Sequence, residues 1–193
     1  MKKLLLLTGD LACGKTTFAR SLSNRYGIEA YSKDTVKEIL SDTVGFSDRE
    51  QNLKLSRAAV SVMTHIFLTA APCGHDLILE ANFRKDELTA LFDKATAYGY
   101  DLLLLRFTAD EAVLFERFQN RIRYEHRHPV HLSVGLDTFE TFRAYIEKAR
   151  GETAGITAVD IDATTFAYQT DETLLAKLDA FINGRQRTGP NTK

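Results

Sequence analysis

An α/β fold built on a parallel sheet is the class the sequence predicts, on three observations. Short apolar runs alternate with amphipathic stretches along the chain, strand then helix. Leu4–Leu7 and Leu102–Leu105 are unbroken leucine, the pattern of strands covered on both faces. Between the first run and the first helix lies Gly9-Asp10-Leu11-Ala12-Cys13-Gly14-Lys15-Thr16, a glycine-rich turn where such folds gather phosphates on a helix N-terminus. A length of 193 residues, 44% apolar and 26% charged, suits one such domain with a real core.

The elements follow in order. Leu4–Leu7 is the first strand and Lys15–Arg25 the first helix. Ile28–Ser32 is a short second strand. Thr35 and Glu38 form a capping box for a helix to about Thr43, and Ser47 and Glu50 form another for a long helix. That helix is expected to stop at Ala71, because Pro72 lacks a backbone donor and Gly74 follows. Asp76–Ala81 is an apolar strand holding a carboxylate. Lys85–Tyr98 is a helix with Leu88, Leu91, Phe92 and Ala95 on one face, closed by Gly99. Asp101–Phe107 is a buried strand. Thr108 and Glu111 cap a helix with Phe115, Phe118 and Ile122 as its stripe. Arg123–Val134 has no period and reads as a loop, and a loop that long tends to be functional. Asp137–Arg150 is a helix opened by Asp137 and Glu140, Val159–Ile161 a fifth strand, and Asp171–Ile182 a last helix. Residues 184–193 read as a flexible tail after a single domain spanning 1–183.

Charge is nearly balanced, 25 basic against 26 acidic residues, so nothing global points to a nucleic acid or an anionic membrane. The two cysteines, Cys13 and Cys73, have neither metal nor redox spacing, and a reducing cytoplasm is the expected setting. The leading Lys2, Lys3 and four leucines resemble a leader peptide. The run is too short for one and leads straight into the turn.

The turn fits G-x-x-x-x-G-K-[ST], the P-loop pattern. Gly9, Asp10, Ala12, Cys13, Gly14 and Thr17 are read as nucleotide contacts around it. Lys15 is expected to reach the β- and γ-phosphates, and Thr16 to hold Mg²⁺. Asp34 follows the second strand at the carboxyl edge of the sheet, where ligands sit; it reads as a base for an acceptor hydroxyl or as a cap. Lys33 reads as an anion contact or as solvated. Glu80 ends an apolar run and resembles the Walker B carboxylate that holds Mg²⁺; Asn82 and Phe83 follow it on the acceptor side. Arg117 and Arg121 share a helical face. With Arg123 and Arg127 they make a cluster suited to clamping phosphate, over a lid of about residues 117–134. A zinc site from His126, His128 and His131 is not expected, for want of matching ligands.

With these residues in place the chain resembles the small P-loop kinases grouped around phage polynucleotide 5′-kinase, chloramphenicol phosphotransferase and the zeta-toxin kinases. The resemblance rests on GDLACGKTTFAR, YSKDTVKEIL, LILEANF and ERFQNRIRYEHRHP, over about residues 1–131. It implies a three-layer sandwich on a five-stranded parallel sheet in the order 2-3-1-4-5, Asp34 as the acceptor's base, and Arg117 and Arg121 on the migrating phosphoryl group. Glu80 stands where polynucleotide kinases tend to have Asp. The expected activity is ATP- and Mg²⁺-dependent phosphorylation of a hydroxyl on a small molecule or a nucleic-acid 5′-end. Arg121 and Arg127 are expected to contact the nucleotide. A nucleotide-driven switch without an acceptor is the rival reading.

Overall fold

The computed structural model describes residues 2–125, 127–131 and 135–184. Its sheet has five parallel strands: β1 (Lys2–Gly9), β2 (Glu29–Ser32), β3 (Leu77–Glu80), β4 (Tyr100–Thr108) and β5 (Val159–Asp162). Their order is β2-β3-β1-β4-β5, the expected one. The helices are α1 (Lys15–Tyr26), α2 (Lys33–Val44), α3 (Arg49–Cys73), α4 (Lys85–Ala97), α5 (Glu111–Tyr124), α6 (Phe139–Thr153) and α7 (Glu172–Asn183).

The leucine run of β1 is the middle of the sandwich. All four leucines are fully buried, and they alternate faces because strand side chains have a period of two. Leu4 and Leu6 pack with Met63 and Phe67 of α3 and Leu88 and Leu91 of α4. Leu5 and Leu7 pack with Phe18 and Leu22 of α1, Phe142 of α6 and Leu178 of α7. Each buried leucine contributes about 1.5–3 kcal/mol by leaving water, so this short run anchors both cores. No described helix is long and apolar enough to cross a membrane.

Register places the chemistry. Leu7 lies opposite Glu80 of β3 and Leu105 of β4, and Ser32 lies opposite Glu80. The loops after β1, β2 and β3 therefore meet at one edge of the sheet. The strand order reverses there, and such a switch point opens a crevice.

Several helix starts differ from expectation. α2 begins at Lys33, straight out of β2, with Ser32 as an N-cap whose side chain makes no capping hydrogen bond to the helix. The Thr35–Glu38 box is unused, and Asp34 lies inside the first turn, where a carboxylate suits the helix dipole. α3 is capped one residue later than expected. Asp48 accepts from the Gln51 N–H at 2.8 Å, and Gln51 Oε1 accepts from the Ser47 N–H at 2.9 Å. α3 also runs through Pro72 to Cys73, in its last turn, before Gly74 ends it in the left-handed region. Asp110 rather than Thr108 caps α5, accepting from Ala112 and Val113. Thr138 caps α6, and Asp171 caps α7.

Within the expected loop at 123–134, α5 continues to Tyr124 and Pro129–His131 is a 3₁₀ turn. A second 3₁₀ turn, Phe166–Gln169, follows β5. His126, residues 132–134 and the tail from 185 onward lie outside the described residues.

Candidate active site

The turn after β1 is shaped by backbone. Gly9 has φ +123°, and a Cβ there would strike the Phe107 carbonyl and lie 2.6 Å from the Phe107 nitrogen, so only glycine lets β1 and β4 run this close. Ala12 adopts φ 59°, a left-handed conformation uncommon outside glycine. Gly14 caps α1 at φ +88° without a side-chain hydrogen bond, leaving the first amides of the helix free of a protein side chain. The loop is braced from behind. The Cys13 thiol donates to the Asp10 carbonyl at 2.9 Å, and the Tyr168 hydroxyl donates to the Cys13 carbonyl at 3.0 Å. Burial pushes the Cys13 thiol up from its ordinary pKa.

Lys15 lies over this loop, its Nζ donating to the Asp10 carbonyl at 2.6 Å and the Gly9 carbonyl at 3.1 Å. Burial works against its ammonium, but the Cys13 sulfur and the carboxylates of Glu80 and Asp34 outweigh it and hold the pKa above the ordinary lysine value. Glu80 is buried. Its Oε2 accepts from the Thr16 hydroxyl at 2.9 Å and the Ser32 hydroxyl at 2.7 Å, joining α1, β2 and β3 at one oxygen-rich point. Asp10 belongs to the loop but turns its carboxylate inward, 1% exposed. There it takes Arg150 Nη2 at 2.7 Å and the Ala109 N–H at 3.2 Å. Its backbone is committed as well, the N–H donating to the Phe107 carbonyl at 2.9 Å and the carbonyl taking Lys15 and Cys13, so Asp10 shapes the loop.

Two cavities open at this edge. The first, about 580 Å³, has the loop and Lys15–Thr17 as its floor and Arg117, Arg121, Tyr124, Phe166 and Gln169 among its walls. The second, about 670 Å³, lies between α2, α3, α6 and the loop after β3. They share Leu11, Asp34, Asn82, Phe118 and Arg127.

The arginine cluster divides on inspection. Arg117 spends Nη1 on the Ala163 carbonyl at 2.7 Å and Nη2 on the Thr164 carbonyl at 2.9 Å, and its guanidinium stacks 4.2 Å from the Phe166 ring centroid. Arg121 makes an exposed pair with Glu125, Nε to Oε2 3.2 Å. Arg127 lines both cavities, and burial together with the neighbouring Arg121 disfavours its charge. Arg123 is exposed and lines neither cavity.

The segment after α5 is docked on α2 and α3. Val130 is fully buried. Its carbonyl accepts from Asn52 Nδ2 at 2.7 Å and Lys37 Nζ at 3.3 Å, and Lys37 also donates to Asn52 Oδ1 at 2.7 Å. His131 Nε2 lies 2.8 Å from Glu38, and His128 Nε2 lies 2.9 Å from Asp42. Burial, with help from Arg127, pushes the His131 pKa down against the opposing pull of Asp34 and Glu38.

Lys37, Asn52, Tyr145, Phe166 and Arg150 were not singled out from the sequence. Lys37 was within reach, because it stands one helical turn after Asp34 and shares its face. The others come from distant segments and have no local signature.

Comparison with known proteins agrees with this layout. A family model described as an AAA domain matches residues 4–149. A candidate kinase from Chloroflexus aurantiacus j-10-fl is 30% identical, with 92% of this chain and 96% of that one covered and a TM-score of 0.73. A sugar kinase from Janibacter sp. HTCC2649 aligns at 13% identity over 95% of each chain, TM-score 0.61. The APS kinase of Mycobacterium tuberculosis, in complex with AMPPNP and APS, aligns at 14% identity over 92% of this chain and 98% of that one, TM-score 0.57. The last two likenesses concern the fold alone. No curated protein gives a match. The family match over three quarters of the chain, and the identity to the Chloroflexus protein over nearly its whole length, place this chain in the P-loop AAA-domain family.

Proposed function

We propose that this chain is an ATP-dependent kinase that moves the γ-phosphoryl group to a hydroxyl, a small-molecule hydroxyl being favoured over a nucleic-acid 5′-end. The observation that carries the reading is the junction of two cavities at Asp34 and Arg127. One cavity has a phosphate-binding floor, and the other is of a size for a second small substrate. A nucleotide-driven switch has no use for the second cavity. The kinases among the structural neighbours, one holding AMPPNP, support the choice, as does the resemblance to the small P-loop kinases.

The roles follow from position. Ala12, Cys13 and Gly14 offer backbone N–H groups to the triphosphate, with Gly9 and Asp10 shaping the turn against Phe107 and Thr17 beside them. Lys15 moves its ammonium from loop carbonyls to the β- and γ-phosphates. The Thr16 hydroxyl and the Glu80 carboxylate are hard oxygen donors, and a magnesium ion that keeps waters and takes phosphate oxygens needs only one or two of these. Bound there, Mg²⁺ would neutralise charge developing on the β- and γ-oxygens.

In the transfer, the acceptor oxygen bonds to the γ-phosphorus as the bond from phosphorus to the β–γ bridging oxygen breaks. The hydroxyl proton passes to the Asp34 carboxylate, and ADP leaves. Arg121 and Arg127 approach the phosphoryl group in transit. Arg117 is proposed to act on it by holding the Phe166 wall, given where its nitrogens are spent. Residues 117–134 form the lid of a single domain spanning 1–183.

The test is a screen of hydroxyl compounds with γ-labelled ATP and Mg²⁺. Labelled product from the native chain, formed about 10²–10⁴-fold more slowly by Asp34→Asn, is the expected result. ATP consumption that never yields a labelled acceptor would count against the proposal.

A further inference from the structure

The second cavity has a charge pattern unlike the rest of the molecule. Lys33, Lys37, Arg49, Arg84, Arg127 and Lys148 all line it. Arg106 and Arg150 line it too, but they are committed to Asp160 and to Asp10 and Glu111. The lining carboxylates are few. Asp10 is taken by Arg150, Glu152 accepts the Lys85 N–H at 3.4 Å, and Asp34 stands at the junction. Among the described residues, Lys33, Lys37, Arg49, Arg84 and Lys148 have no carboxylate within ion-pair distance.

Helix for helix the contrast is sharp. On α3, Lys54, away from the cavity, pairs with Glu50 at 2.8 Å, while Arg49, facing it, pairs with no acid. On α6, Arg143 pairs with Glu147 at 3.0 Å, while Lys148 does not. Lys37 is 6% exposed and, among the described residues, has only neutral oxygens, from Asn52 and Val130, as hydrogen-bond partners. Burial pushes its pKa down, with Asp34 pulling the other way. A buried ammonium without a paired acid is costly unless a counter-charge arrives. The chain as a whole is almost neutral, at −1, so this excess of positive charge is local to the cavity.

We propose that the second cavity takes a small anion: a hydroxyl compound carrying a phosphate or carboxylate, its charged group held by Arg49, Arg84, Lys148 and Lys37 and its hydroxyl at Asp34. The inference rests on the kinase reading above for the hydroxyl, but not for the anion. Guanidinium forks match phosphate and carboxylate oxygens in pairs. Arg127 and His131, on the segment that Val130 bonds to α2 and α3, line the cavity on the lid side, which suits a small molecule better than a polynucleotide.

Two measurements test this separately. In the first, protein saturated with Mg²⁺ and a non-hydrolysable ATP analogue is titrated calorimetrically with inorganic phosphate and, in parallel, malonate. Saturable binding is expected, weakened at least about tenfold in Arg49→Gln/Arg84→Gln and unchanged in Lys54→Gln. The tighter of the two anions identifies the charged group. Equal binding by native protein and the double variant would overturn the anion site.

In the second, γ-labelled ATP is offered with matched pairs: glycerol and glycerol 3-phosphate, glucose and gluconate, uridine and its monophosphate, together with a 5′-hydroxyl oligonucleotide. Transfer to anionic members, with a raised KM in the double variant and a smaller change in kcat, supports the proposal. Equal transfer to neutral members, or transfer to the oligonucleotide alone, refutes it. Phosphate binding without transfer to any hydroxyl would sink the kinase reading and uphold the anion site.

Discussion

The two cavities that meet at Asp34 are made of different material. The nucleotide side has a floor of backbone: one turn, two glycines in left-handed geometry, a helix start, and bracing bonds at Cys13 and Tyr168. The other side is made of side-chain tips from α2, α3, α6 and the loop after β3. A backbone floor fixes residue types at fixed offsets and tolerates few changes. A wall of side-chain tips can be rewritten one residue at a time without disturbing the fold. One scaffold can thus keep its nucleotide while changing its acceptor.

If that division is right, the largest losses should come from the nucleotide floor. Lys15→Met is expected to reduce phosphoryl transfer to background, a fall of at least about 10³-fold, while circular dichroism and the melting curve stay native. A variant that still turns over normally would remove the phosphate role of the loop. At the junction, Asp34→Asn should lower kcat by about 10²–10⁴-fold and leave the calorimetric ATP affinity unchanged. Asp34 is exposed in the first turn of α2, so misfolding is not the expected cause.

The lid sharpens the contrast. Arg121→Ala should cost about 10²-fold in kcat with little change in KM for ATP. Arg117→Ala should instead raise KM for ATP, because it frees the Phe166 wall. Identical kinetics in the two variants would show that they act alike. Behind the floor, Arg150→Ala leaves the buried Asp10 without its partner. Because Arg150 is itself a third exposed, a loss of about 2–3 kcal/mol is expected in urea unfolding, rather than the full cost of breaking a buried pair.

The smallest effect is a pH dependence in the lid. The folded His131 pKa lies below its ordinary value near 6.5, so the docked lid prefers the neutral ring. The stabilisation this gives is complete above the ordinary value and is lost below it, as pH falls through the lower folded value. Amide exchange at residues 127–131 should accelerate between pH 7.5 and 5.5, and His131→Gln should flatten the response. Asp34, Glu38 and Arg127 act on the ring as well, so exchange must be read in the native protein and in the variant.

How much was legible in the sequence follows the same division. The P-loop, the order of strands and helices, and the carboxylate at Glu80 were readable because backbone geometry and buried strands demand particular residues at particular spacings. The start of α2 differs from expectation because Thr35 with Glu38 looks like a capping box, while the exit from β2 already begins the helix at Lys33. Arg117 looked equivalent to Arg121 on a helical wheel. Only the carbonyls of Ala163 and Thr164, from a segment far along the chain, separate them. Arg49, Arg84 and Lys148 read as ordinary surface charges until the fold brings α3, α6 and the loop after β3 round one cavity.

The inward carboxylate of Asp10 has a consequence for how the substrates assemble. Its partner Arg150 sits on α6, which also contributes Tyr145 and Lys148 to the second cavity. The Asp10–Arg150 pair thus ties the phosphate loop to a wall of that cavity. The two substrates should bind with synergy: ATP should tighten the acceptor by the same factor as the acceptor tightens ATP, as thermodynamic linkage requires. Arg150→Gln should bring that factor toward one, and paired titrations, each ligand with and without the other, would measure it.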